Sequence, residues 1–178
     1  MADDAPWYEA ALLVGVTNAL NVVADSPLDS LEPASPSAEA LAVFAEIRAF
    51  YDCADVPVAF RRVSGDAGYL ADLWGATRRV FADATLTRRH KEALAFAVSV
   101  TTRSAFGSAF HLAEMRRLGV SERGVMEVLG VTQMFSSYTK IADTLQLEPD
   151  MGHIAAPDPS PAPGGASPRP ATRPPEAP

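Results

Sequence analysis

No stretch of this chain alternates apolar and polar residues as a half-buried strand requires; the apolar residues recur every three or four positions. That period belongs to helices with one face turned inward, so the chain reads as all-α. The first helix is expected over Trp7–Val23, with Tyr8, Leu12, Val16, Leu20 and Val23 on one face. Its other side is also weakly polar, which suits a helix lying between two layers of protein. Glu9 is the lone charge in that run, so a membrane span is the competing reading. Thr17, Asn18 and Asn21 interrupt it, Asp3 and Asp4 stand where a positive flank belongs, and it is short for a span. No membrane association is expected.

Pro27, Pro33 and Pro36 break periodic structure between Ser26 and Ser37. Ser37 then reads as the N-cap of a helix over Ala38–Tyr51 with a stripe of Leu41, Phe44, Ala45, Ile47 and Phe50. Pro57 predicts an extended piece over Asp55–Arg62. Gly65 and Asp66 open a helix to Ala82, with Leu70, Leu73, Trp74, Thr77 and Phe81 along one side. Thr87 caps a helix reaching Thr102 that is apolar on nearly all sides and is therefore expected at the domain centre. A further helix is predicted over Ser108–Leu118, with Gly119 as its C′ residue. Ser121 caps a last, longer helix to Leu145, weakened at Gly124 and Gly130. About six helices result.

The 178 residues carry a net charge of −7 and are 48% hydrophobic, enough for one globular core. An acidic chain is a poor partner for nucleic acid or anionic membranes, so neither is expected. One cysteine, Cys53, excludes an internal disulfide and fits a reducing, cytoplasmic setting. Nine of the fifteen prolines follow Ala156, with no side chain larger than alanine among the apolar residues there. Such a segment buries too little to offset its ordering entropy and is expected to be disordered. The expected organisation is an apolar helix with its linker (1–37), a helical domain (38–150) and a Pro-rich tail (151–178).

The segment LTRRHKEALAFAVSVTTRSAFGSAFHLAEMRRLG, Leu86 to Gly119, resembles the core motif of the alkylhydroperoxidase D and carboxymuconolactone decarboxylase family. In that motif a Glu on one helix is followed by C-x-x-C-x-x-x-H opening the next. Glu92 and His111 match the Glu and the His, while Ser104 and Gly107 occupy the two cysteine positions. The flanking FRRVSGDAGYLADLWGATRRVFADATLTRRHKEALAFAVS and MFSSYTKIADTLQLEPD extend the resemblance over roughly residues 40–150. It implies an alkylhydroperoxidase D-like helical fold assembling as a trimer or hexamer; the apolar N-terminal helix, Trp7–Val23, is a sensible interface element. The first half is also similar to one repeat of the helical haloacid dehalogenases, which use two repeats and an Asp-activated water; only one repeat is visible here.

Dithiol peroxidases need a thiolate and a resolving thiol. Serine and glycine supply neither, so that chemistry is not expected. Cys53 reads as a small buried apolar thiol. Glu92, His111 and Ser104 retain proton-transfer capacity and are the candidate catalytic residues. The resemblance then points toward the cysteine-free decarboxylase branch and a small organic acid, lactone or ketone as substrate. The alternatives are a non-catalytic binding or assembly protein, in which Glu92 and His111 form a buried pair kept for packing, and residual peroxidase activity. The Arg pairs at 61/62, 78/79, 88/89 and 116/117 read as mostly solvated faces; Arg61 or Arg62, near Pro57, and Phe106 are the candidates for substrate contact. His90, His111 and His153 lack metal-ligand spacing, and Gly65–Gly68 lacks the Lys-Ser/Thr of a phosphate loop, so no metal and no cofactor are expected.

Overall fold

The computed structural model describes residues 4–27 and 32–147; the tail and His153 lie outside the described residues. These fold into seven helices: α1 (Ala5–Ala24), α2 (Ala38–Tyr51), α3 (Val58–Arg62), α4 (Ala67–Phe81), α5 (Arg88–Thr101), α6 (Ala105–Arg117) and α7 (Glu122–Leu145). No strand occurs among the described residues.

The capping chemistry places the helix starts where the sequence puts them. Ser37 Oγ accepts from Ala40 N at 3.1 Å, Thr87 Oγ1 from His90 N at 3.4 Å, and Ser121 Oγ from Gly124 N at 3.2 Å. Each satisfies an amide that the helix itself leaves unpaired. α6 closes with Gly119 in the left-handed conformation (φ +78°). Gly119 N bonds Arg116 O at 3.0 Å and Val120 N bonds Met115 O at 2.9 Å, the paired bonds of a Schellman ending.

Three expectations change. The Asp55–Arg62 stretch contains a helix, α3, because Pro57 sits at its N-cap, where no amide is needed; its carbonyl accepts from Phe60 N and Arg61 N. α6 begins at Ala105, earlier than Ser108, because Ser104 is its cap. α7 runs unbroken through Gly124 and Gly130.

Burial also departs from the expected stripes. α2 and α4 behave nearly as read: Phe44, Ile47 and Tyr51 meet Leu70 and Trp74 in one core with Phe60 of α3. Their rings pack edge-on, with Phe50–Trp74 centroids at 5.3 Å and Phe60–Trp74 at 5.7 Å. α1 buries Leu13, Thr17, Leu20, Asn21 and Ala24, while Tyr8 and Leu12, expected inward, are exposed. A helix apolar all round gives periodicity nothing to orient; here two polar residues, Thr17 and Asn21, mark the inner face. α1 is long and apolar enough to cross a membrane by length and composition, yet this face packs on α3, α4, α5 and α6. α5 likewise turns Lys91, Glu92, Ala95, Phe96 and Ser99 inward. Its other side, with Leu94, is left partly uncovered.

α7 buries only Val125 among its side chains. Val125 joins Phe96 and Met115 in a small cluster that anchors the helix start. The compact unit closes at Ile141, and the described part of the second unit is residues 142–147.

Candidate functional site

α5 and α6 are joined by a very short connection. Arg103 is left-handed (φ +60°); its N bonds Val100 O at 3.2 Å, and Ser104 N bonds Ser99 O at 2.9 Å. Ser104 then caps α6 at once. This turn closes an αα-hairpin, and the two helices share the densest contact in the fold. Glu92 on α5 and His111 on α6 flank this turn, and folding the two helices back on each other sets them side by side.

His111 Nδ1 lies 2.7 Å from Glu92 Oε2. A carboxylate only accepts, so the ring donates. The other carboxylate oxygen, Oε1, accepts from Arg88 Nε at 2.9 Å. Arg88 Nη2 reaches Glu114 Oε2 at 2.8 Å, and Arg117 binds Glu114 through Nε at 2.9 Å and Nη2 at 2.7 Å. The result is a chain, His111–Glu92–Arg88–Glu114–Arg117, in which two guanidinium groups and two carboxylates alternate and their charges balance. Both oxygens of each carboxylate are engaged, as buried charges require.

Aromatic rings close over this chain. The Arg88 guanidinium sits 4.1 Å from the Phe50 centroid and 4.9 Å from that of Tyr51. Phe81 stacks on the His111 ring at 5.7 Å, and Phe110 meets it edge-on at 5.2 Å. Glu92 is 0% exposed and His111 2%. Burial, reinforced by the Glu92 charge, holds the Tyr51 phenol well above its usual range.

Of the sequence-derived candidates, Glu92 and His111 therefore meet directly. Ser104 is buried, but its hydroxyl accepts from Gly107 N at 2.9 Å as a helix cap and bonds neither of them. Phe106 is half-buried and stacks on Phe110 at 5.4 Å, one ring removed from His111. Arg61 lies 3.4 Å from Glu32 at the surface. Arg62 Nη1 donates to the carbonyls of Val23, Ala24 and Ser26 at 3.1, 2.8 and 2.6 Å, closing the end of α1. Neither arginine belongs to the Glu92–His111 network. His90 is exposed and bonded to Thr87, and no group of potential metal ligands occurs among the described residues.

Arg88, Glu114 and Arg117 of the network, and the Tyr51 ring over Arg88, escaped sequence reading. Arg88 was expected on a solvated face and is instead 12% exposed in its side chain; its place four residues before Glu92 was the available signal. Glu114 carried a similar clue, three residues before Arg117 and from His111. Tyr51 covers Arg88 from a distant helix, which no local pattern shows.

The second cysteine position of the motif is closed by α1. A Cβ at Gly107 would overlap Asn21 Oδ1 and Ser99 Oγ. Asn21 Nδ2 donates to Ser99 Oγ at 3.0 Å, so these two side chains hold each other across that spot. Cys53 is only partly buried, and desolvation pushes its thiol up.

An all-α domain with a Glu–His pair across a tight hairpin is the class defined by these features. Residues 68–147 match the model of the Carboxymuconolactone decarboxylase family. The segment from α4 to the end of α7, which holds Glu92, Ser104, Gly107 and His111, belongs to that family. No curated protein and no solved structure matches the chain.

Proposed function

We propose that this carboxymuconolactone decarboxylase-like protein is a non-catalytic binding or assembly partner that works inside a homo-oligomer. One observation carries the reading: Glu92 spends both carboxylate oxygens on His111 and Arg88 beneath Phe50, Tyr51, Phe81 and Phe110, at 0% exposure. A general acid or base needs reach to the proton it moves. This carboxylate is instead a clamp between α5 and α6. Glu92→Ala leaves the Arg88 charge with one partner fewer in a dry site and should lower stability by about 3–5 kcal/mol, read by denaturant melting.

A second reading keeps an acid–base enzyme acting on a small organic acid, lactone or ketone. It is favoured by His111 Nε2, which forms no hydrogen bond among the described residues. Mass-spectrometric screening of the purified protein against small carboxylic acids and lactones separates the two. The assembly reading expects no turnover. Turnover that His111→Gln abolishes while the fold and mass are unchanged would overturn it in favour of the enzyme.

A further inference from the structure

An open cavity of about 1260 Å³ lies between α5 and α7, larger than the roughly 300–1,000 Å³ usual for small-ligand pockets. Leu94, Val98, Leu129 and Phe135 give it an apolar lining. Its threonines add little polarity. The hydroxyls of Thr101, Thr132 and Thr139 donate to the carbonyls of Ala97, Val128 and Phe135 within their own helices, at 2.7, 2.8 and 2.9 Å. Charge is present with one sign only. The chain has 22 acidic residues against 15 lysines and arginines, yet Arg103 and Lys140 line the cavity and no carboxylate does. Arg78, Arg88, Arg116, Arg117 and Arg123 each pair with a carboxylate. Arg103 has neither an ion pair nor a side-chain hydrogen bond among the described residues. Its backbone is left-handed (φ +60°), a conformation that glycine takes freely and a residue with a Cβ does not. Only the side chain gives an arginine an advantage at that turn.

We infer that this cavity binds a single-chain amphipathic anion, a long-chain carboxylate, with its alkyl chain along Val98, Leu129 and Phe135 and its head on Arg103. The two halves of the lining select the two halves of the ligand. A small polar acid would leave the apolar wall wet and gain nothing from it. A neutral apolar molecule would take water from Arg103 and return no acceptor, which disfavours it. A carboxylate answers that loss, because the guanidinium fork donates to both of its oxygens, and Lys140 adds a second positive charge to the same cavity. His111, Glu92, Arg88, Glu114 and Arg117 are all absent from the lining, so this is a site apart from the Glu92–His111 pair. It goes beyond the assembly reading: uptake is measured without turnover and stands or falls independently of what that pair does.

The test is titration calorimetry of the full chain with dodecanoate, kept below its micelle concentration. Wild type should take it up saturably, one per chain. Decanoate should bind on the order of tenfold more weakly, since two fewer methylenes are buried. Dodecanol, with the same chain and no charge, should bind roughly ten- to a hundredfold more weakly, the range for hydrogen bonds to a charged group. Arg103→Gly should bring dodecanoate down to the level of dodecanol and leave dodecanol unchanged, with a thermal melt at or above that of wild type. Arg103→Lys should restore part of the difference. Phe135→Asp, at an exposed position of the wall, should abolish uptake, while Arg79→Gln, on the exposed side of α4, should not alter it. No uptake, equal uptake of dodecanol, or dodecanoate binding unchanged in Arg103→Gly or in Phe135→Asp would overturn the inference. So would co-sedimentation with phosphatidylglycerol vesicles lost in Arg103→Gly, which would make the occupant a membrane instead of a free carboxylate.

Discussion

Gly107 is the residue at which the loss of thiol chemistry becomes a matter of packing. Its missing side chain is the space that Asn21 and Ser99 occupy. Gly107→Ala should therefore cost about 1–3 kcal/mol, the range for forcing atoms into a filled core, measured by denaturant melting. Adding Asn21→Ala and Ser99→Ala should recover part of that loss, because both overlapping atoms go. Ser104→Cys with Gly107→Cys meets the same obstacle. It should form no disulfide until Asn21 and Ser99 are trimmed, which thiol titration after mild oxidation would show.

At the scale of elements, two junctions control how the hairpin is presented. The α5–α6 turn places Arg103 in a left-handed conformation that strains any residue with a Cβ. Arg103→Gly should raise stability by about 0.5–1 kcal/mol without moving the helices. The other junction is Glu9 of α1, whose carboxylate accepts from Thr85 N at 2.9 Å and Leu86 N at 3.1 Å and pairs with Lys91 Nζ at 3.0 Å. The Leu86 amide and then Lys91 hold its pKa at about 2, below the ordinary 4.5. A depressed carboxylate stabilises the fold above its unfolded value and loses that contribution as pH falls toward the folded one. Wild type should thus be more stable than Glu9→Gln at neutral pH. The gap should close between pH 4.5 and about 2, followed by thermal melts at stepped pH.

For the whole molecule, the expected behaviour toward peroxide follows from what surrounds the single thiol. Cys53 is partly buried, and its thiol is shifted up first by desolvation and then by Glu114. The thiolate, which is the nucleophile, is therefore scarce at neutral pH. The protein should not reduce an organic hydroperoxide in a coupled dithiol assay, and Cys53→Ser should change nothing. Robust turnover lost in Cys53→Ser would place the chemistry at that thiol and sink the argument.

Local chemistry was enough to write the helix starts and the α6 ending into the sequence: Ser37, Thr87, Ser121 and Gly119 act within a few residues of themselves, so their roles survive any tertiary context. The motif spacing likewise carried the pairing of Glu92 with His111, because a tight hairpin fixes which residues of two adjoining helices meet. Tertiary structure alone decided the rest. Which face of α1 and of α5 turns inward could not be read, since both helices are apolar nearly all round and the choice is made by polar partners: Asn21 with Ser99, and Lys91 with Glu9. The same holds for Ser104 and Arg88. A hydroxyl at a motif position and an arginine in a charged run look like a reagent and a solvated side chain until the fold shows which acceptor or donor each one meets. For Ser104 that is the Gly107 amide, and for Arg88 it is two buried carboxylates contributed by different helices.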